Sequence, residues 1–305
     1  MAELDPRLRP YVERALSAPP AATVPLAALR AAYAAELPEI WGVPEVVDEV
    51  VDILIPGPGG DLRVRVYRPR STGLLPAIVW FHGGGFVVGD LETHDPVCRA
   101  IANRAPCVVV AVDYRLAPED PFPAALEDAW VATEWVAEEA LGLGVDALRI
   151  AVGGDSAGGN LAAAVALHAR RGALPVALQV LVYPVTNHAF DSESYTRLGT
   201  GLNLTREKME WYWSQYLGKD DGTHADASPL RADDVADVAP ALVLTAEHDP
   251  LLSEGEAYAE RLRAAGVPVV SRRFDAMIHG FIRMPALVGE ADEAIDEIAT
   301  ALRRL

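Results

Sequence analysis

Cysteine, lysine and long apolar runs are all scarce in this chain, and each scarcity excludes something. Only Cys98 and Cys107 occur among the 305 residues, too few for a disulfide framework. Cys107 opens the run CVVVAV, which reads as a buried strand, so two free, half-buried thiols are expected. Lysine is confined to Lys208 and Lys219, and 26 basic residues face 44 acidic ones for a net charge of -18. Such a balance repels DNA, RNA and anionic lipid surfaces, which excludes a nucleic-acid partner. No run reaches the ~18 apolar residues of a membrane span. The N-terminal stretch MAELDPRLRPYVERAL is charged throughout and lacks an apolar signal core. No stable membrane insertion and a cytoplasmic location are therefore expected. HExxH is missing, and no Cys/His cluster has ligand spacing, so neither a metal nor an organic cofactor is expected.

What is present is alternation. From about residue 46, short β-rich runs exchange with helical patterns. The strand candidates are VVDILI, DLRVRVYR, PAIVWF, CVVVAVDY, RIAVGG, ALQVLVY, ALVLTA and VPVVSRRF. Most are continuously apolar, as strands of a parallel sheet covered on both faces must be. The first two are joined by PGPGG, a turn signal, and predict an antiparallel hairpin. DPVCRAIANRA, PAALEDAWVATEWVAEEA, SAGGNLAAAVALHARR, SEGEAYAERLRAAG and ADEAIDEIATALRRL place apolar residues at three-to-four spacing and predict helices. The expected class is α/β, a doubly wound sheet with right-handed crossovers. Two helical regions stand outside the alternation, residues 1–45 and roughly 188–222. In the second, Trp211, Tyr212, Trp213 and Tyr216 read as packing.

Two glycine clusters follow strands. Gly154-Asp155-Ser156-Ala157-Gly158 fits G-x-S-x-G between a strand and a helix, where a serine is forced into a tight turn with its hydroxyl projecting. The flanking glycines must be tiny because the chain folds back on itself. No G-x-G-x-x-G is present, and no Lys-Ser or Lys-Thr follows the glycines, so nucleotide-binding loops are excluded. His82-Gly83-Gly84-Gly85 follows PAIVWF. Backbone amides of Gly83 and Gly84, with that of Ala157, would form an oxyanion hole for a serine nucleophile. His82, inside the loop, reads as structural.

The pair HGGGF and GDSAGGN resembles the hormone-sensitive-lipase-like (bacterial family IV) esterases. VDYRLAPEDPFPAALEDA, Tyr183-Pro184, DPLLSEGEAYAERL and IHGF agree with it. The resemblance implies an α/β-hydrolase fold, a mostly parallel eight-stranded sheet flanked by helices. It also implies a helical cap: residues 1–45 as its N-terminal part, and a catalytic domain over 46–305 with a cap insertion at about 188–222. The order serine, acid, histidine of that fold leaves His188, His224, His248 and His279 as bases. His279 lies beyond the last strand and matches the family's HGF. Asp249 matches its DPL and is preferred to Glu247 as the acid; Glu254 reads as a first-turn helix residue. Asp155 and Asp113 read as supports of the turn and of neighbouring loops.

The expected activity is hydrolysis of short- to medium-chain acyl esters by Ser156, His279 and Asp249 through an acyl-enzyme. A non-catalytic small-molecule receptor and an amidase or peptidase on the same scaffold are the alternatives. The expected partner is a small-molecule ester, and pairing of exposed edge strands leaves a homodimer open.

Overall fold

The computed structural model describes residues 2–170 and 174–305. The chain opens with α1 (Arg9–Ser17), α2 (Leu26–Ala35) and the short α3 (Leu37–Ile40). The strands β1 (Glu49–Gly57), β2 (Gly60–Arg68) and β3 (Leu75–Phe81) follow, then α4 (Leu91–Arg104), β4 (Val108–Val112) and α5 (Ala124–Glu138). Next come β5 (Val145–Asp155), α6 (Ala157–Ala169) and β6 (Val176–Val182), and then α7 (Glu193–Leu198) and α8 (Arg206–Leu217). The chain ends with β7 (Ala241–His248), α9 (Leu252–Ala264), β8 (Val269–Ile278) and α10 (Glu290–Leu302).

The strands form one eight-stranded sheet in the order β1-β2-β4-β3-β5-β6-β7-β8. β1 and β2 make the expected antiparallel hairpin, with Gly57 opposite Gly60. β2 also runs antiparallel to β4, and every later pairing is parallel. The interior strands β4 and β7 are buried along their whole length, which is why their sequences are largely apolar without alternation. One face packs Val136 of α5, Leu161 of α6 and Tyr258 of α9. The other packs Ile101 of α4 with Ile295 and Ile298 of α10. Both cysteines are free, and they are fully buried instead of half-buried.

Two boundaries differ from the sequence pattern for local reasons. α4 begins before Pro96, at a capping box in which Asp90 accepts from the Thr93 amide at 2.8 Å while Thr93 accepts from the Asp90 amide at 2.9 Å. β8 runs four residues past VPVVSRRF and delivers the chain to His279. α6 is described to Ala169, and the last residue expected in it, Arg171, lies outside the described residues.

The two helical regions outside the alternation meet above the carboxyl ends of the strands. Leu29 and Tyr33 of α2 line one cavity together with Met209 and Tyr212 of α8. The N-terminal region has a second task, since Leu8, Val12, Ile40 and Trp41 are buried in the α4–α10 core layer.

Candidate active site

Ser156 sits at the junction of β5 and α6 with φ 57° and ψ -116°, a conformation that is strained for a residue with a side chain. The surrounding packing imposes it. A Cβ on Gly154 or on Gly158 would overlap the Phe81 carbonyl oxygen of the neighbouring strand β3. Only glycine lets the turn close that tightly, and the closed turn lifts the serine hydroxyl off the sheet. The Ser156 amide is anchored to the Val182 carbonyl at the end of β6, 2.8 Å away.

Two further strand ends supply the partners. His279 directly follows β8 and Asp249 directly follows β7. His279 Nε2 lies 2.9 Å from Ser156 Oγ, and His279 Nδ1 lies 2.7 Å from Asp249 Oδ2. Asp249 is enclosed, and its other oxygen accepts from the Leu251 amide at 2.8 Å. The Asn203 side-chain amide donates to the His279 carbonyl at 2.9 Å, and the Tyr183 ring centroid stands 4.6 Å from the imidazole. Asn203 thus ties the His279 backbone, and the Tyr183 ring backs the imidazole. Glu247, the competing acid, accepts instead from the amides of Ala2 and Ala276, each at 2.9 Å. His188, His224 and His248 are engaged with Asp221, Asp226 and Ala2, away from Ser156.

The glycine loop after β3 corrects one expectation. The Gly83 amide is turned away from the cavity: it donates to Asp155 Oδ1 at 3.0 Å and reaches His94 Nε2 at 3.3 Å. Gly84 and Gly85 are the loop residues that line the cavity. Among the described residues their amides have no protein acceptor, and neither has that of Ala157, the first residue of α6. Gly85 has φ 62°, and a Cβ there would overlap the Tyr212 ring. Three consecutive glycines do not reveal which two face inward, so this one-residue shift had no signal in the sequence. Tyr212 is likewise a cavity wall as well as packing, whereas Trp213 and Tyr216 are buried, with Tyr216 stacked 3.6 Å from Phe86.

Enclosed polar groups brace the loop. His82 Nδ1 is 2.8 Å from the Gly83 carbonyl, its ring stacks on Tyr114 at 4.2 Å, and the Tyr114 hydroxyl donates to the His82 carbonyl at 2.6 Å. Burial lowers the His82 pKa to about 4, so the ring is neutral at neutral pH. Burial also lowers that of His94. Desolvation opposes ionisation of Asp155, but His94 and Arg283 hold its carboxyl below the ordinary range. Asp113 pairs with Arg63 at 2.9 Å, the loop-bracing role expected of it. Glu254 is in the first turn of α9 as expected, yet it is buried, and its Oε1 accepts from the amides of Thr186 and Asn187 at 2.6 and 3.2 Å.

The cavity over Ser156 measures about 240 Å³ and has walls that include Ala15, Leu29, Val88, Leu204 and Met284. No group of three or more His, Cys, Asp or Glu side chains able to hold a metal is found among the described residues. No helix among them is long and apolar enough to cross a membrane.

Comparison with known proteins places this geometry. A family model described as the alpha/beta hydrolase fold matches residues 78–283. The chain is 44% identical over 269 residues to the carboxylic ester hydrolase LipN of Mycobacterium tuberculosis, covering 85% of this chain and 71% of that protein. It is 42% identical over 252 residues to an ethyl acetate hydrolase of Pseudomonas putida, covering 81% and 79%. A hyperthermophilic esterase from the archaeon Pyrobaculum calidifontis superposes with a TM-score of 0.93 at 43% identity, covering 99% of both chains.

Proposed function

The chain belongs to the α/β-hydrolase fold family, among its hormone-sensitive-lipase-like carboxylic ester hydrolases, and from that premise we propose that it cleaves short- to medium-chain acyl esters with Ser156, His279 and Asp249. The observation that carries this reading is the hydrogen-bond chain from Asp249 Oδ2 through His279 to Ser156 Oγ, with spacings of 2.7 and 2.9 Å.

His279 Nε2 takes the hydroxyl proton as Ser156 Oγ attacks the acyl carbon. Asp249 holds the imidazole in the tautomer that leaves Nε2 free to accept, and it stabilises the cation that forms. The amides of Gly84, Gly85 and Ala157 receive the negative charge on the former carbonyl oxygen, aided by the positive end of α6. His279 returns the proton to the departing alkoxide, and the alcohol leaves behind an acyl-Ser156. Water, deprotonated by His279, then attacks this ester, and His279 passes that proton to Ser156 Oγ as the acid leaves. The residues of α1, α2 and α8 that roof the cavity act as a cap and set acyl length.

Two observations support short to medium chains. The cavity of about 240 Å³ falls below the ~300–1,000 Å³ common for drug-sized ligands. One relative is named an ethyl acetate hydrolase. A panel of 4-nitrophenyl esters from acetate to laurate tests the reading. Turnover by the wild type should peak at or below octanoate and fall by at least ~10³-fold in Ser156→Ala. Undiminished turnover in that variant, or a laurate optimum, would contradict it.

A further inference from the structure

Arg283 is an outlier among the arginines of this molecule. Other enclosed guanidinium groups have their donors taken: Arg65 pairs with Asp52 at 2.6 Å and Glu92 at 2.7 Å, Arg115 pairs with Asp128 at 2.9 Å, and Arg261 donates to the Leu230 and Ala232 carbonyls. Arg283 is only 5% exposed, yet among the described residues it has no carboxylate within 4.0 Å. Its Nε and Nη2 are buried without a hydrogen-bond partner. Its guanidinium carbon stands 4.1 Å from the centroid of the Tyr33 ring, a cation–π contact that holds the group in place without neutralising it. The residue lies on the wall of the same cavity as Ser156 and His279.

The nearby acids bond elsewhere. Glu36, also on the cavity wall, accepts from the Tyr11 hydroxyl at 3.1 Å, and Asp155 is taken by the Gly83 amide and His94. Desolvation works against the charge on Arg283, but Tyr33, Asp155, Tyr11 and Glu36 around it keep it protonated. Lys208 adds a second half-buried cation to the cavity wall, and its Nζ donates to the neutral Asn203 carbonyl at 2.8 Å. In a chain with a net charge of -18, two cations without a directly paired carboxylate thus stand on the wall of the cavity that holds the nucleophile. Buried guanidinium donors left without an acceptor are costly, and a planar guanidinium fork matches carboxylate and phosphate bidentately; of the two, the carboxylate is the group a carboxylic ester carries when its acyl or alcohol part is itself a carboxylic acid.

We infer that the preferred substrates are esters carrying a second, ionised carboxyl group on the acyl or alcohol part, and that Arg283 is the residue that selects them. The inference rests on the ester-hydrolase reading above and sharpens its substrate class. When such a substrate docks, its free carboxylate meets the guanidinium while its ester carbonyl lies at Ser156 Oγ.

The test compares matched esters in a pH-stat: monoethyl adipate against ethyl heptanoate, and 4-acetoxybutanoate against pentyl acetate. In the wild type at least one charged ester should exceed its neutral match in kcat/KM by about 10-fold or more. That ratio should collapse toward one in Arg283→Met and recover in part in Arg283→Lys. A second arm needs neither turnover nor a variant: calorimetry on the wild type should detect glutarate binding and none by 1,5-pentanediol. A wild-type ratio at or below one for both pairs, a ratio unchanged in Arg283→Met, or equal binding of the two calorimetric ligands would overturn the inference. Loss of turnover on all four esters would instead strike the ester-hydrolase reading, and the calorimetric arm, repeated on Arg283→Met, where glutarate binding should be lost, would still decide the role of Arg283.

Discussion

Asp249 and Glu247 are two residues apart, yet only one of them reaches the imidazole. β7 is buried on both faces, so the direction in which each acid leaves its end decides its partner: Asp249 meets His279, whereas Glu247 ties down Ala2 and Ala276. Asp249→Asn should lower kcat by about 10⁴-fold, because an amide no longer enforces the working tautomer; single-turnover kinetics with a 4-nitrophenyl ester would show the loss in acylation. Asp155 acts one step further out. It holds the Gly83 amide, and through it the orientation of Gly84 and Gly85. Asp155→Ala should cost about 10²–10³-fold in kcat, the range for losing an oxyanion donor, with a much smaller change in KM. A fall confined to KM would show that the loop stays in place without it. Ser156 was legible from G-x-S-x-G between a strand and a helix, and His279 and Asp249 from their places after strands together with the resemblance to the family's HGF and DPL. The inward register of the glycines and the orphaned charge on Arg283 were not, since each depends on neighbours more than sixty positions away in sequence.

The β5–α6 turn and the loop after β6 show how whole elements are held in register around the site. Gly158 abuts the Phe81 carbonyl, so Gly158→Ala must push α6 away from β3. Overpacking of this kind costs about 1–3 kcal/mol, and thermal melting should show the loss together with a drop in esterase activity. α9 is tied to the segment after β6 by Glu254, whose carboxyl pKa is raised by burial to about 8. A carboxyl with a folded pKa of about 8 and an ordinary value of 4.5 adds stability that is complete below the lower value and is lost as pH climbs to the higher one. Glu254→Gln has no proton to lose. Its melting temperature relative to the wild type should therefore rise between pH 5 and pH 8, and a pH-independent difference would contradict this. The major strands and helices were readable because continuous apolar runs and three-to-four spacing are strong signals. The short helices α3 and α7 carry too few residues for a periodic pattern, and Pro96 imitates a helix start that the capping box places earlier.

At the scale of the molecule, the sheet gathers everything by parallel topology. β3, β5, β7 and β8 all point their carboxyl ends the same way, so the glycine loop, Ser156, Asp249 and His279 converge although they span residues 83 to 279. The alternation of strands and helices, together with the two glycine motifs and the family resemblance they carry, anticipated that convergence. How the two helical regions share the roof was not legible, because the cavity wall joins segments about 180 residues apart, such as those of Leu29 and Met209. The net charge of -18 also acts at this scale. Most ion pairs are partly exposed and contribute little each, while excess negative charge repels itself throughout the fold. Adding salt from ~10 to ~150 mM shortens the Debye length from about 30 to 8 Å, and the melting temperature should rise; a fall would mean that the ion pairs outweigh the repulsion. The central claim, an activated Ser156 among main-chain donors, is tested most directly by intact-mass and peptide analysis after exposure to a fluorophosphonate. The account predicts a single adduct on Ser156 in the wild type, slow labelling in His279→Ala and none in Ser156→Ala; an unlabelled wild type, or an adduct that persists in Ser156→Ala, would contradict it.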